Sequence, residues 1–444
     1  MRRPASSPGR LLETAGNGCS RQMIILKDIT RLTAPLILYI KNRVQKYTIQ
    51  KLVHSPNFAK RTVPKSESPT MQKGPSLMTE YRGMIFTPEC KFAPGVINVE
   101  GRTIAEVKLL AEEDLYQDER DTYIIPGLID IHMHGCNGHD ACESTEDGIR
   151  AIISYELDHG ITSLCLATMT LPEDKLHSVL HNIASVDHSN LKGIYLEGPF
   201  IAEEKKGAQN VDYIAVPNHD MLRRFNESAQ EKIVMVTIAP EVDGAFTCME
   251  KSAYEFRFSI AHSDADYQVA ERAFKAGVKH VTHLYNAMSS YSHRSPGIVG
   301  AAADHEDVMV ELITDGIHIH PSVVRNTFKM FGSDRIVLVS DSMEATGMPN
   351  GTYSLGGQSV HVSNRWALLD DGTIAGSASN LYDCMIAAIK MGVPREDVIK
   401  AATINPAKAI DIDRRVGSLE VGKDADILIL NHDFELVSVI QGEM

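Results

Sequence analysis

Long apolar runs are missing from this 444-residue chain. A membrane-spanning helix needs about 20 consecutive apolar residues. The most apolar early stretch, Leu36-Ile37-Leu38-Tyr39-Ile40, ends at Lys41. No membrane partner is therefore expected. Paired cysteines are missing too. The seven present (Cys19, Cys90, Cys136, Cys142, Cys165, Cys248 and Cys384) are odd in number, scattered, and contain no C-x-x-C. That fits free thiols in a reducing compartment better than a disulfide framework, and a cytoplasmic location is expected.

Basic charge is scarce over most of the chain. Residues 1–77 carry 14 Lys+Arg against 3 Asp+Glu, whereas the rest carries 30 against 55, a net of −25 within an overall −14. Such a body gives no electrostatic case for nucleic acid, although one local basic pocket remains compatible with a phosphate. The basic leader, 1–77, has two readings: an organellar transit peptide, or an unstructured extension ahead of a natural start at Met78. The second is favoured because the leader lacks an amphipathic repeat. The composition, 43% hydrophobic and 23% charged, is that of an ordinary globular protein with room for one large and one small domain.

From Ile124 onward, short β-branched runs alternate with helix-like stretches. Strands are predicted at 127–132, 161–167, 192–197, 233–239, 256–262, 279–283, 308–314 and 336–341. Helices are predicted at 147–159, 173–186, 221–229, 264–276 and 322–331. Gly160 and Gly277 stand where left-handed helix ends belong. Eight βα units imply a closed (β/α)8 barrel over 126–416. The flanking pieces 78–125 and 417–444 contain short strand-like runs, Tyr81–Phe86, Gly95–Val99 and Asp426–Leu430. Each is too small to stand alone, so the two are expected to pair as a small β-sandwich.

The predicted strand ends carry a set of metal-ligand residue types. They are His132 and His134 on strand 1, Glu197 on strand 3, His262 on strand 5, His283 on strand 6 and Asp341 on strand 8. Barrel sites form at the carboxyl ends of the strands, which brings these six together. Imidazoles and carboxylates suit a borderline divalent ion such as zinc or iron. In an extended strand the H-x-H spacing turns both rings to one side. A lone strand-end histidine is more often a surface residue, but five strand ends each offering a ligand are not an accident. A strand-end aspartate such as Asp341 often only caps a helix, but Ser342 would serve that role as well.

These residues lie in motifs that resemble a known family. Pro126-Gly127-Leu128-Ile129-Asp130-Ile131-His132-Met133-His134-Gly135 and Gly417-Ser418-Leu419-Glu420-Val421-Gly422-Lys423-Asp424-Ala425-Asp426 are similar to the opening and closing segments of the amidohydrolase superfamily. Leu196–Phe200, Ala261–Ser263, Thr282–Met288, Asp315–His318 and Ile374–Ser377 resemble its N-acetylglucosamine-6-phosphate deacetylase family. The resemblance runs from Met78 to the C-terminus. It implies hydrolytic deacetylation of an amino-sugar phosphate by a metal-activated water, and a homodimer.

Carried onto this chain, the resemblance makes Glu197, His262 and His283 ligands of a main ion. His132 and His134 would allow a second, and whether one or two ions bind stays open. Asp341 would be the catalytic carboxylate, and His318 would lie over the acetamide carbonyl. Ala208, Asn286, Ala287 and Arg294 would contact the sugar phosphate; a guanidinium makes a bidentate fit to phosphate. Asp315, Ile374, Ala375 and Gly376 complete the expected substrate pocket. Two other readings compete: an amidohydrolase acting on a cyclic amide or nucleobase, and a catalytically dead scaffold. Many cyclic-amide enzymes use a lysine where this chain has Glu197. A dead relative would be expected to have lost a ligand.

Overall fold

The structure is a computed structural model that describes residues 78–441. The expectation for the basic leader, 1–77, lies outside the described residues. Eight parallel strands form the larger sheet: Leu128–Met133, Ile161–Ala167, Leu191–Leu196, Ile233–Ile238, Phe258–Ile260, His280–Val281, Met309–Ile313 and Ile336–Val339. Each pairs with its sequence neighbour, as βα repeats dictate. Between the eighth and first strands, the Asp341 N–H donates to the His132 carbonyl at 3.0 Å, drawing the sheet toward a closed barrel.

Strand residues divide by alternation. Leu164, Leu166, Val236, Ile238, Val310 and Leu312 join the helices in one large core. Ile129, Ile131, Ile313, Val337 and Val339 form a separate cluster closed below by Ala407, Ile410 and Val416. This two-sided burial explains why the strands read as near-continuous apolar runs. The five predicted helices are present at Glu146–Asp158, Glu173–Ser185, His219–Ser228, Tyr267–Lys275 and Pro321–Phe331. Side chains of Thr145, Asn218 and Asp266 cap three of them. Gly160 and Gly277 sit at φ 88° and 110°, where a side chain would be strained.

The small β domain is a six-stranded sheet built from both ends of the described chain. Met78–Phe86 lies between Phe92–Glu100 and Tyr123–Pro126; the latter pairs with Ile427–Leu430, which pairs with Leu436–Ile440. Thr103–Leu109 completes the edge. Ile85, Ile97, Ile104, Ile124, Leu419 and Ile427 form its core.

The sequence pattern gave no sign of a three-stranded antiparallel sheet, Gly351–Leu355, Gln358–Ser363 and Trp366–Leu368, after the eighth barrel strand. The helices Ala245–Ser252, Gly297–Asp304, Leu381–Lys390, Arg395–Ala402 and Ile404–Ala409 were not anticipated either. Among the described residues six cysteines are present and all are free, and no helix is long and apolar enough to cross a membrane.

Candidate metal centre

The ligand-type residues do not end the strands, as the sequence suggested; several follow them by one or two residues. His262, His283 and Asp341 have φ of 44°, 29° and 49°, a left-handed backbone uncommon for such residues. The turn swings each side chain into the barrel mouth instead of along the strand. Glu197 follows the third strand, where the Thr168 hydroxyl accepts from its N–H and donates to its carbonyl, both at 3.1 Å.

Glu197 is the hinge of the site. Its Oε1 is 2.9 Å from His262 Nε2 and 3.2 Å from His283 Nε2. Its Oε2 is 3.1 Å from His134 Nε2 and 3.6 Å from His132 Nε2. Asp341 Oδ1 is 3.2 Å from the same His134 nitrogen. Two donor groups result, Glu197–His262–His283 and His132–His134–Asp341, each with its ligand atoms within 4.8 Å of one another. His262 Nδ1 meets the Lys205 carbonyl at 2.9 Å, which leaves Nε2 for the site.

The donors fit a divalent ion. Glu197 Oε2 and His132 Nε2 are buried and make no well-aligned hydrogen bond, although His134 Nε2 lies 3.1 Å from that oxygen, a costly arrangement for polar atoms unless a cation engages them. The mixture of imidazole nitrogen and carboxylate oxygen is of the kind zinc or iron takes.

The electrostatics agree. Burial opposes the charge of Glu197, yet His132, His134 and His262 hold its pKa well below the ordinary carboxylate value. Asp341 is likewise lowered against burial, by His134 and then His132. Burial also opposes a charge on His134, which Asp341 and Glu197 hold up at about 9.

A cavity of about 230 Å³ opens above these residues. Of the residues expected from the sequence, Ala208, Asn286, Ala287, His318, Ile374 and Gly376 line it together with His134, Glu197, His262, His283 and Asp341. His132 lies fully buried beneath it, and Ala375 is buried beside it. Asp315 is nearly buried and holds His318 instead: its Oδ2 is 2.9 Å from His318 Nδ1. Burial lowers the His318 pKa, but Asp315 more than offsets that and leaves it raised.

Arg294 is not brought to this cavity. It lines another, of about 520 Å³, with Asp264, Asp266, Tyr267 and Ser289. Its loop is exposed. Met169, Gln209, Leu355 and Thr373 line the site without having been anticipated. Leu355 comes from the unanticipated hairpin. Gln209 is buried, its side-chain oxygen accepting from Thr170 N–H at 2.6 Å.

Known proteins resemble this chain over most of its length. Residues 123–442 match the model of the amidohydrolase family. A Bacillus subtilis N-acetylglucosamine-6-phosphate deacetylase is 35% identical over 360 residues, covering 78% of this chain and 91% of that protein. The Mus musculus enzyme of the same name is 33% identical over 368 residues, covering 78% and 89%. Among solved structures, a mutant of the Mycobacterium smegmatis N-acetyl-D-glucosamine-6-phosphate deacetylase, in complex with N-acetyl-D-glucosamine-6-phosphate, superposes with a TM-score of 0.78 at 28% identity. The match covers 82% of this chain and 98% of that one. The chain belongs to the amidohydrolase family.

Proposed function

We propose that the protein hydrolyses the acetamide of N-acetylglucosamine 6-phosphate, giving acetate and glucosamine 6-phosphate. The observation that carries this reading is Glu197 set between two donor groups, with Asp341 and His318 lining the same cavity. The relatives, deacetylases of this name in bacteria and a mammal, supply the substrate.

Glu197, His262 and His283 would hold one divalent ion, zinc or iron, and His132, His134 and Asp341 are the residues for a second. An ion held there would lower the pKa of a coordinated water to about 7 and polarise a carbonyl. Asp341, kept ionised by its surroundings, takes the proton from the attacking water as the new C–O bond forms. It then hands that proton to the nitrogen as the C–N bond breaks, so the amine leaves neutral. His318 has Nδ1 engaged by Asp315. With its pKa raised, the ring can carry a second proton on Nε2 and donate to the oxygen that gains charge. Ala208, Asn286, Ala287, Ile374 and Gly376 surround the sugar, and Met169 and Leu355 form apolar wall.

The test is to follow acetate and free amine together from N-acetylglucosamine 6-phosphate on metal-analysed protein, with the unphosphorylated sugar, hydantoin, dihydroorotate and adenine as comparisons. Equal release of both products, with preference for the phosphorylated sugar, supports the reading. Turnover of a cyclic amide or adenine without sugar turnover overturns it.

A further inference from the structure

Just below the site, the barrel interior holds two polar residues that this chemistry does not use. The strand Met309–Ile313 is apolar except for Glu311. Val310 and Leu312 pack outward into the helix-facing core. Alternation therefore turns Glu311 toward the barrel axis, where it is fully buried. His280 does the same beside Val281 on the neighbouring strand and is 3% exposed.

A carboxylate in such a place is costly unless both oxygens are partnered. Both are. Oε1 lies 3.0 Å from His280 Nε2. Oε2 lies 2.9 Å from His132 Nδ1 and accepts the His283 backbone N–H at 3.1 Å. One buried carboxylate thus touches the ring of one expected metal ligand and the backbone of another.

The contact decides which nitrogen His132 presents. With the Nδ1 proton donated to Glu311, the neutral ring keeps its lone pair on Nε2. That atom is buried, has no hydrogen-bond partner, and lies 3.6 Å from Glu197 Oε2 and 3.9 Å from Asp341 Oδ1. Tyr195 stacks on the ring at 4.5 Å between centroids and 14° between planes, its hydroxyl 2.7 Å from Thr282 Oγ1. The imidazole is held at its edge by Glu311 and on its face by Tyr195.

We propose that Glu311, backed by His280, is a positioning residue that fixes the tautomer and aim of His132 and thereby sets the divalent-cation affinity of the His132–His134–Asp341 group. This rests on the metal-site part of the proposed function and not on the identity of the substrate.

The experiment is a Zn2+ titration of the chelator-stripped full chain against a competing chromophoric chelator, with thermal melting as the check on folding. The variants are Glu311→Gln, Glu311→Ala, His132→Gln and the double variant Glu311→Gln/His132→Gln. Glu311→Gln, nearly isosteric, carries the test if the alanine variant does not fold. It is expected to weaken one zinc step by about 10- to 100-fold and leave the other unchanged. In the His132→Gln background, Glu311→Gln is expected to add no further loss, because Glu311 acts through that ring.

Zinc binding by Glu311→Gln that equals the parent's overturns the proposal. So does an equal loss in both backgrounds, which would mark a general structural role, and so does a His132→Gln chain that binds zinc like the parent. A parent that loads zinc but releases no acetate refutes the substrate reading alone, and the zinc comparison still decides the role of Glu311.

Discussion

The Asp341 N–H donates to the His132 carbonyl at 3.0 Å, so the seam between the last and first barrel strands also joins the expected catalytic carboxylate to the H-x-H pair. Fold and site share this hydrogen bond, and a cation bound by these side chains stabilises both. Stripping the metal with a chelator is therefore expected to lower Tm. Re-added Zn2+ should restore it in a concentration-dependent way, the added stability reaching about 2.7 kcal/mol at a hundredfold excess over Kd. A melting curve indifferent to chelator and zinc would contradict this coupling.

The Asp315–His318 pair predicts a pH effect. Asp315 raises the His318 pKa against burial, so the doubly protonated ring persists to higher pH than an ordinary imidazole. The raised pKa also favours the folded state below the ordinary imidazole value, and this contribution is lost as pH rises through the folded pKa. Asp315→Asn removes the charge. The alkaline limb of kcat/KM should move to lower pH, while the acid limb, set by other groups, stays in place. A pH–rate profile checks this, and an unmoved alkaline limb would count against His318 as the donor.

Gly376 predicts a steric effect. It sits at φ 68°, and a Cβ there would lie 3.0 Å from the Asp341 carbonyl oxygen and 3.4 Å from Met343 Cβ. Gly376→Ala should cost about 1–2 kcal/mol from the left-handed backbone alone. It should also displace Asp341, lowering kcat by at least about tenfold, as expected for small misplacements of reacting groups. Steady-state kinetics and a melt separate the two effects.

How much of this was legible in the sequence depends on what each residue needs to be recognised. His262 and His283 announce themselves by chemistry and by the βα spacing between them, and the barrel brings them together. Their left-handed backbones were not readable, because a histidine carries no signature for positive φ. Glu311 was passed over because one acid within a short apolar run reads as a strand with a polar face. Only closure of the barrel shows that this face looks inward, where His132 and His280 wait for it. The hairpin carrying Leu355 was missed because its strands are short and largely polar on one side. Arg294 was carried over from the resemblance and from the fit of a guanidinium to phosphate, neither of which says which hollow an exposed loop faces; in the structure it lines the one with Asp264 and Ser289.

Glu156 predicts a stability change with pH away from the site. It is fully buried on the first helix after the H-x-H strand, with the Cys136 thiol beside its carboxyl group. Burial, then the nearby charge of Asp130, push its pKa from 4.5 to about 8. Between those values the folded chain keeps a proton that the unfolded chain has released. Stability is thus full below the unfolded value and falls by about 1.4 kcal/mol per pH unit as pH rises toward the folded one. Glu156→Gln should remove that slope, gaining on the parent as pH is raised from 5 to 8. Denaturant unfolding at several pH values checks it, and parallel curves for the two proteins would refute it.

The deciding comparison is acetate release from N-acetylglucosamine 6-phosphate by the metal-loaded parent and by Asp341→Asn, with zinc content measured on both. Turnover is expected from the parent. The variant should lose about 10²- to 10⁴-fold in kcat, the usual contribution of a general acid–base group. It should still hold zinc at Glu197, His262 and His283. No acetate from a fully loaded parent would contradict the proposed reaction, and near-parental kcat in the variant would contradict the role of Asp341.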